Sequence, residues 1–426
     1  MRFEEAVADL DARSEGRMIP TLDRIRQVVD LMGNPQHVYP TVHVAGTNGK
    51  TTTTRLIERV LCASGVSAGA LTSPHLENVR ERLTLCGDPI EEQEFAETYA
   101  HLRLFLEEVD RKGERVTYFE TLAALAALWF ADKPVEVGVF EVGMGGSWDA
   151  TNVIRSEVAV VTPIGLDHPE LGSTIEEVAG EKAGILKEGT TAVVREQRPE
   201  ARAVLEARAA EVGATLLHEG EDFGVPVRDL AVGGQRLAIR GLRGEYRGLT
   251  LPLHGEHAAR NAAAAVAAAE LVLDREVGAE AVREALAGAS SPGRVEVLSR
   301  HPLIVLDGAH NPDGAAALAA ALGEAFIWER LFLVLAVLDT KDADGIAAAL
   351  APRTTSAFVG ASSHPRAMDP DRLTAVAERA GIPAIAHATV DAALDAAEAA
   401  AGPDDLIVVT GSLYTVADAR PRYLKG

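Results

Sequence analysis

The segment Thr41–Thr54 constrains the chain most, because an apolar strand must turn there directly into a helix. Its turn reads Gly46-Thr47-Asn48-Gly49-Lys50-Thr51. Glycine allows a sharp bend and close approach of the backbone to a phosphate, and a helix N-terminus offers unpaired N–H groups. A lysine supplies positive charge and a threonine hydroxyl can bind a phosphate-bridging Mg²⁺. The segment therefore predicts a nucleotide phosphate loop.

The spacing of this loop is shorter than that of a standard P-loop. A standard P-loop has a glycine five residues before Gly49, where this chain has Val44. The pattern Gly-x-x-Gly-Lys-Thr is less specific, and an ordinary strand-to-helix turn is the alternative. The Lys50-Thr51 pair and the strand-turn-helix context favour phosphate binding.

Composition limits the class of protein. A chain of 426 residues is too long for one ordinary core, so two or three domains are expected. Hydrophobic residues at 47% and charged residues at 24% are typical of soluble globular proteins. The net charge of −22 would repel a nucleic-acid backbone, so nucleic acid is not an expected partner.

The sequence predicts a cytoplasmic protein that does not contact a membrane. No apolar run approaches the roughly 20 residues of a membrane span, and Met1–Glu5 lacks the apolar core of a signal peptide. The two cysteines, Cys62 and Cys86, are too few for a disulfide framework. We expect both to be small buried hydrophobic residues in a reducing compartment.

Apolar strands alternate with helical patterns along most of the chain. This alternation predicts an α/β fold, a P-loop doubly wound and mostly parallel sheet. Short strand-like runs from Leu216 to Leu253 predict a small antiparallel patch. A linker-like composition around Ser290–Arg294 precedes a second series, which predicts a C-terminal Rossmann-like α/β domain. The expected domains are residues 1–292 and 293–426.

Three side chains near predicted strand ends carry candidate chemistry. Glu141 ends an apolar strand, where its carboxylate could bind Mg²⁺ near the phosphate loop. His168 also follows a strand, whereas Lys182, taken alone, is typical of a solvated helix surface. Together with the second domain, these features fit ATP-driven group transfer in a cleft. They leave a kinase or a nucleotide-gated switch equally open.

Motifs spread along nearly the whole chain resemble one family. Besides the phosphate loop they are Thr72-Ser73-Pro74-His75-Leu76, Glu81-Arg82-Leu83, Phe119–Leu122, Glu141–Gly146, Asp149-Ala150-Thr151-Asn152, Asp167-His168, Leu171-Gly172, Glu181–Ile185, Pro292-Gly293-Arg294, Asp307–Asn311 and Thr410–Tyr414. Their joint order resembles the Mur ligase superfamily, and within it the folylpolyglutamate synthase/dihydrofolate synthase family.

The resemblance implies a ligase that uses ATP to join L-glutamate to dihydropteroate or a folate. A poorly electrophilic carboxylate would first become an acyl phosphate, which the glutamate amine then attacks. The family implies two Mg²⁺ ions and a carbamylated lysine, an N6-carboxylysine, at Lys182. We expect the chain to act as a monomer on these small molecules.

The resemblance also implies roles for individual residues. The catalytic residues would be Lys50, Glu141, His168, Lys182 and His310. ATP would contact Gly46, Thr47, Asn48, Gly49, Lys50, Thr51, Asn261, Arg294 and Asp307. The Mg²⁺ ligands would come from Thr51, Ser73, Glu141, His168 and carbamylated Lys182. The pteroate or folate would contact Met18, Ile19, Pro20, Thr21, Ser73, Pro74, His75, Arg82, Trp148, Asp149 and Ala150. The incoming glutamate would contact His310, Arg366 and Ser412.

Two alternatives remain beside the folate-pathway ligase. Thr51-Thr52 stands where the folate family commonly has Gly-Ser, and it is similar to the cell-wall branch, so a muramyl amino-acid ligase is one alternative. A non-catalytic ATP-binding switch is the other. The Thr72–Leu76 and Asp149–Asn152 motifs oppose the first alternative. The presence of Lys50, Glu141, His168 and Lys182 together opposes the second.

Overall fold

A mostly parallel eight-stranded sheet forms the larger part of the protein. The computed structural model describes residues 1–14, 19–113 and 115–424. The strands lie in the order β4-β3-β2-β5-β1-β6-β7-β8, and only the pairs β2–β3 and β3–β4 are antiparallel. They are β1 (Thr41–Ala45), β2 (Ala68–Leu71), β3 (Leu83–Leu85), β4 (Asp88–Pro89), β5 (Val137–Glu141), β6 (Val158–Val161), β7 (Thr191–Val194) and β8 (Thr215–His218). The predicted doubly wound sheet is confirmed.

Strand β1 lies at the point where the winding of this sheet reverses. It pairs in parallel with β5 on one side and with β6 on the other, so the chain runs outward from β1 in both directions. Loops at the carboxyl ends of such neighbouring strands border a crevice where ligands bind. The phosphate loop follows β1 and therefore lies at this crevice.

Two further sheets complete the α/β architecture. The antiparallel sheet has the order β11-β10-β9, and the C-terminal sheet has the order β12-β13-β17-β14-β15-β16, with only β12 antiparallel to its neighbour. The strands are β9 (Gly224–Ala231), β10 (Gly234–Arg240), β11 (Glu245–Leu251), β12 (Glu296–Arg300), β13 (Leu303–Leu306), β14 (Leu331–Leu335), β15 (Ser356–Val359), β16 (Ala384–Ala386) and β17 (Leu406–Thr410). We call the part from β12 onward the C-terminal domain.

The antiparallel patch begins later than predicted. Residues 215–218 belong to the large sheet as β8, because this run pairs in parallel with β7 from Thr191 to Val194. The antiparallel sheet starts only at Gly224. Short apolar runs look alike in sequence whichever sheet they join, so only the pairing separates them.

Helices cover the sheets and connect their strands. Among the described residues, no helix combines the length and the apolar character needed to cross a membrane. The helices are α1 (Phe3–Asp11), α2 (Asp23–Leu31), α3 (Lys50–Ala63), α4 (Glu92–Asp110), α5 (Tyr118–Asp132), α6 (Ile175–Lys182), α7 (Pro199–Val212), α8 (Glu256–Leu273), α9 (Ala279–Ala287), α10 (Pro312–Ala325), α11 (Ala343–Leu350), α12 (Pro370–Arg379), α13 (Val390–Ala400), α14 (Leu413–Ala419) and α15 (Pro421–Leu424).

The expectation of two separate buried cysteines is wrong. Cys62 and Cys86 form a disulfide, and Cys86 is exposed. Cys62 lies near the end of α3, while the N–H of Cys86 donates to the carbonyl of Ala68 at the start of β2. The antiparallel pairing of β3 with β2 thus brings together two residues that are 24 positions apart.

The alanine-rich helix α8 packs closely on α3 behind the phosphate loop. Every residue from Ala262 to Ala269 is completely buried in the same core cluster as Leu56 and Ile57 of α3. Small side chains let the two helix backbones approach each other, so the position of α3 depends on the volume of this face.

We expect Ala264→Leu to lower the free energy of unfolding by about 1–3 kcal/mol, because the added carbons have no room in a filled core. The matched control is Ala207→Leu on the exposed face of α7, which should leave stability within about 0.5 kcal/mol. Urea unfolding followed by circular dichroism measures both. Equal stability of the two variants would contradict close packing of α8.

Candidate active site

The phosphate loop has the geometry that its glycines permit. Gly46 has a φ of +142°, and a Cβ there would lie 1.9 Å from the Thr162 hydroxyl oxygen at the end of β6. Gly49, with a φ of +90°, is the residue immediately before α3. Both conformations are rare for residues with side chains. The loop can therefore pass between β1 and the end of β6 only with glycine at these positions.

Lys50 is the first residue of α3 and points back over the loop. Its Nζ donates to the carbonyl oxygens of Gly46 and Thr47, at 3.0 and 3.2 Å. Burial lowers the pKa of Lys50, and the nearby carboxylate of Glu141 opposes that shift. A lysine held only by carbonyl dipoles keeps its charge available for an anion bound at the loop.

Glu141, Thr51 and Ser73 meet beside the phosphate loop. Glu141 ends β5, and the parallel pairing of Val44 with Glu141 sets the carboxylate beside the end of β1. Its Oε1 accepts from the Thr51 hydroxyl at 2.8 Å, and its Oε2 accepts from the Ser73 amide at 3.0 Å. Burial raises the pKa of Glu141. The structure thus brings together the three residues predicted for the first Mg²⁺ site.

Lys182 is buried. The interpretation that its local sequence alone favours, a lysine on a solvated helix surface, is therefore wrong. Its side chain reaches from the end of α6 to the phosphate loop, where Nζ donates to the carbonyl of Gly46 at 2.8 Å. Burial, assisted by the positive charge of Lys50, lowers the pKa of Lys182 to about 7. Lys182 and His168 line the same small cavity as Lys50.

The described residues contain no group of three or more His, Cys, Asp or Glu side chains placed to hold a metal ion. This finding is compatible with Mg²⁺, which usually keeps several waters and binds one or two carboxylates plus substrate phosphates. Glu141 with the Thr51 hydroxyl is a donor set of that kind. At the second predicted Mg²⁺ position, Lys182 lines the same small cavity as His168 and Asp167. An ammonium group cannot bind a cation unless it is converted into an oxygen donor.

A cavity of about 310 Å³ joins the phosphate loop to the C-terminal domain. Its lining includes Asn261 of α8, together with Arg294, Asp307 and His310 from the segments around β12 and β13. Asp307 accepts from the amides of Val295 and Ala309, at 2.9 and 2.8 Å, and burial raises its pKa. All the predicted ATP contacts except Gly46 therefore border one space between the two domains.

Arg195 orients Asn261 and was not predicted from the sequence. This buried arginine follows β7, donates to the Asn261 side-chain oxygen and pairs with Glu219 at 2.8 Å. Asn261 in turn lies against Gly49, where an added Cβ would be 3.0 Å from the amide group. The only sequence signal is a charged residue directly after an apolar strand.

The predicted folate residues form two groups. Ser73 and Pro74 line the 310 Å³ cavity, and nearby the Arg82 Nε donates to the His75 Nδ1 at 2.8 Å while the guanidinium stacks over Tyr118. Asp149 is turned inward: its carboxylate accepts from the Met144 amide at 2.8 Å and from the Thr151 amide at 2.9 Å.

The other residues predicted for the folate are less enclosed. Trp148 is half-buried and Ala150 is buried, whereas Ile19 and Pro20 are exposed and Thr21 is half-buried. Met18 lies outside the described residues.

The three residues predicted for glutamate do not all line the 310 Å³ cavity. His310 lines the 310 Å³ cavity. Ser412 is buried, and its hydroxyl caps α14 by accepting from the amide of Thr415 at 3.0 Å. Arg366 is exposed in the segment between β15 and α12. Asp167, which sequence reasoning left out of the site, instead contacts His310 and lies beside His168.

Comparison with known families agrees with this geometry. Residues 44–269 match the Mur ligase middle domain, and residues 293–413 match the Mur ligase glutamate ligase domain. The first match contains the phosphate loop, Glu141 and Lys182, and the second contains Asp307 and His310. Fold and site thus define an ATP-dependent ligase of the Mur type.

Individual relatives narrow the class. The dihydrofolate synthase/folylpolyglutamate synthase of Mycobacterium tuberculosis is 42% identical, over 96% of this chain and 92% of the relative. A Mycobacterium tuberculosis folylpolyglutamate synthase structure with ADP has a TM-score of 0.95 at 40% identity, covering 100% of this chain and 98% of that one. An FPGS complex with AMPPCP and folate has a TM-score of 0.88 at 34% identity, over 100% of both chains. The chain belongs to the folylpolyglutamate synthase/dihydrofolate synthase family.

We expect Lys50→Ala to lower kcat by at least about 100-fold, because the loop loses the charge that stabilises a transferring phosphoryl group. Phosphate release with ATP, Mg²⁺, glutamate and a folate measures the effect. The control is Lys112→Ala, an exposed lysine paired with Glu108, which should match the parent protein. Appreciable activity in Lys50→Ala would remove this lysine from its assigned role.

Proposed function

We propose that this ligase joins L-glutamate to the carboxylate of dihydropteroate and of folates through an acyl phosphate, with release of ADP and phosphate. ATP-dependent addition of glutamate to folates is the activity of the family to which the chain belongs. The observation that carries the proposal is the shared cavity, in which Lys50 and Glu141 face Asp307 and His310 across the two domains.

Two transfers account for the atoms. A carboxylate oxygen of the acceptor attacks the γ-phosphorus of ATP, and ADP leaves. The glutamate amine then attacks the acyl carbon, phosphate leaves and the nitrogen loses a proton, which yields the amide. Activation is needed because a carboxylate is a poor electrophile, whereas phosphate is a good leaving group.

The residues of the chain have distinct parts in this scheme. Lys50 stabilises charge on the phosphoryl group from the phosphate loop, while Asn261, Arg294 and Asp307 hold the remainder of the nucleotide. Thr51, Ser73 and Glu141 would hold Mg²⁺, which neutralises charge on the phosphates when bound. His310 lies on the side of the C-terminal domain, from which we propose that glutamate enters. We place the domain boundary at residues 292–293, just before β12.

Substrate choice can be decided in one assay. Phosphate release is measured with ATP, Mg²⁺ and glutamate while dihydropteroate, tetrahydrofolate or a muramyl precursor is offered in turn. We expect release with both pteridine acceptors and none with the muramyl compound. Turnover with the muramyl compound alone would contradict the proposal. Release with only one pteridine acceptor would restrict the enzyme to dihydrofolate synthesis or to extension of the glutamate tail.

We further propose that Lys182 is carbamylated and supplies an oxygen donor to the second Mg²⁺ site, in the small cavity that it lines with His168. Its burial and its pKa of about 7 support this, since the neutral amine that reacts with CO₂ is well populated near neutral pH. Below pH 7 the amine is protonated, so carbamate formation falls as the pH falls through about 7.

Isotope-labelled bicarbonate and NMR test the carbamate. We expect a carbamate signal that grows as the pH rises through about 7 and is absent in Lys182→Met. Lys187→Met is the control, because Lys187 is half-buried with a lowered pKa of about 8 but donates to the carbonyl of Asn152 away from the cavity. An active, metal-loaded enzyme whose mass shows unmodified Lys182 would contradict the proposal.

A further inference from the structure

Asp167 lies where the two domains meet, and three side chains converge on its carboxylate. Lys341 Nζ is 2.5 Å from Oδ1, while His168 Nε2 and His310 Nε2 are 3.2 and 3.4 Å from Oδ2. The Asp167 carboxylate therefore links side chains of both domains.

Lys341 reaches Asp167 from the C-terminal domain, 174 positions along the chain. It lies between β14 and α11, and its side chain is only 8% exposed. Arg372 of α12 pairs with Asp339, which lies in the same segment as Lys341, and the Arg372 side chain is 64% exposed. Water screens the charges of an exposed ion pair more than those of a buried one. The electrostatic interaction of Lys341 with Asp167 is therefore stronger than that of Arg372 with Asp339.

The ion pair between Lys341 and Oδ1 of Asp167 leaves Oδ2 of that carboxylate to accept other hydrogen bonds. With Lys341 on one oxygen, the other is free to accept from both imidazole rings. His168 then donates through Nε2 and presents its Nδ1 as a lone-pair donor. The His310 Nδ1 lies 2.8 Å from the carbonyl oxygen of Gly308, which holds the other side of that ring. Both rings are thus held in one orientation by the same carboxylate.

We propose that Lys341 is a positioning residue through which the C-terminal domain sets the orientation of His168 and His310. The carboxylate has its full set of partners only when the loop carrying Lys341 lies against the loop after β6. Lys341 is not among the residues that line the 310 Å³ cavity beside the phosphate loop, so we expect it to act on acceptor chemistry and not on ATP binding. The inference rests on the roles proposed above for the two histidines.

The test compares Lys341→Met and Lys341→Arg with the parent protein, and Arg372→Met is the matched control for loss of a cation near the same loop. In Lys341→Met we expect kcat for folate ligation to fall about 10- to 100-fold while the KM for ATP stays unchanged. Lys341→Arg should recover most of the activity, since it keeps the charge, and Arg372→Met should retain all of it.

Calorimetry supplies a readout besides activity. With AMPPCP bound, a Mn²⁺ titration of Lys341→Met should show about tenfold weaker binding at one position, because His168 is no longer oriented. The affinity for AMPPCP itself should match that of the parent. Unchanged Mn²⁺ binding together with unchanged kcat in a folded Lys341→Met would overturn the inference. An equal loss in Arg372→Met would also overturn it.

Asp167→Asn carries the same test if Lys341→Met does not fold. The double variant that combines Asp167→Asn with Lys341→Met should lose no more activity than Asp167→Asn alone, because both changes disrupt one interaction. Additive losses would overturn the inference. Failure of the parent protein to ligate glutamate to any pteridine would contradict the proposed function. If the parent protein ligates glutamate normally and the Lys341→Met variant does so equally well, only the role of Lys341 is overturned.

Discussion

The parallel register of β1 against β5 and β6 is the constraint on which the whole site depends. Pairing of Val44 with Glu141 sets the carboxylate beside the phosphate loop, and pairing of Ala45 with Val161 brings the chain after β6 to the same edge. A shift of one residue in either pair would turn every side chain of the shifted strand to the opposite face of the sheet. The parallel strands of the large sheet thus set the positions of the charged groups that this sheet contributes to the cavity.

The Gly46 carbonyl oxygen links the two halves of the chemistry. It accepts hydrogen bonds from Lys50 at 3.0 Å and from Lys182 at 2.8 Å. Two ammonium groups that share one acceptor repel each other, and this repulsion adds to burial in lowering the pKa of Lys182. The phosphate loop therefore holds Lys182 beside a second cation, which contributes to the lowered pKa of Lys182.

Contacts between the domains complete the site. Asn48 of the phosphate loop and Asn311 before α10 exchange side-chain hydrogen bonds at 3.0 and 3.2 Å. Asp167 and Lys341 form a second link, which is buried. An opening between the domains would separate both pairs and expose the cavity to water, so the phosphate loop and the C-terminal residues can act together only in the closed arrangement.

Local sequence patterns predicted the phosphate loop and the doubly wound sheet. The turn from Gly46 to Thr51 needs glycine conformations and a helix start, which are properties of adjacent residues. The alternation of apolar runs with helical patterns predicted the doubly wound sheet. The family resemblance supplied Lys182, although its local sequence is that of a surface helix. Tertiary structure alone decided the burial of Lys182, the Cys62–Cys86 disulfide, and the convergence of Lys341, His168 and His310 on Asp167. These features join segments distant in sequence, and their energies depend on burial and on distances that strand order and domain packing set.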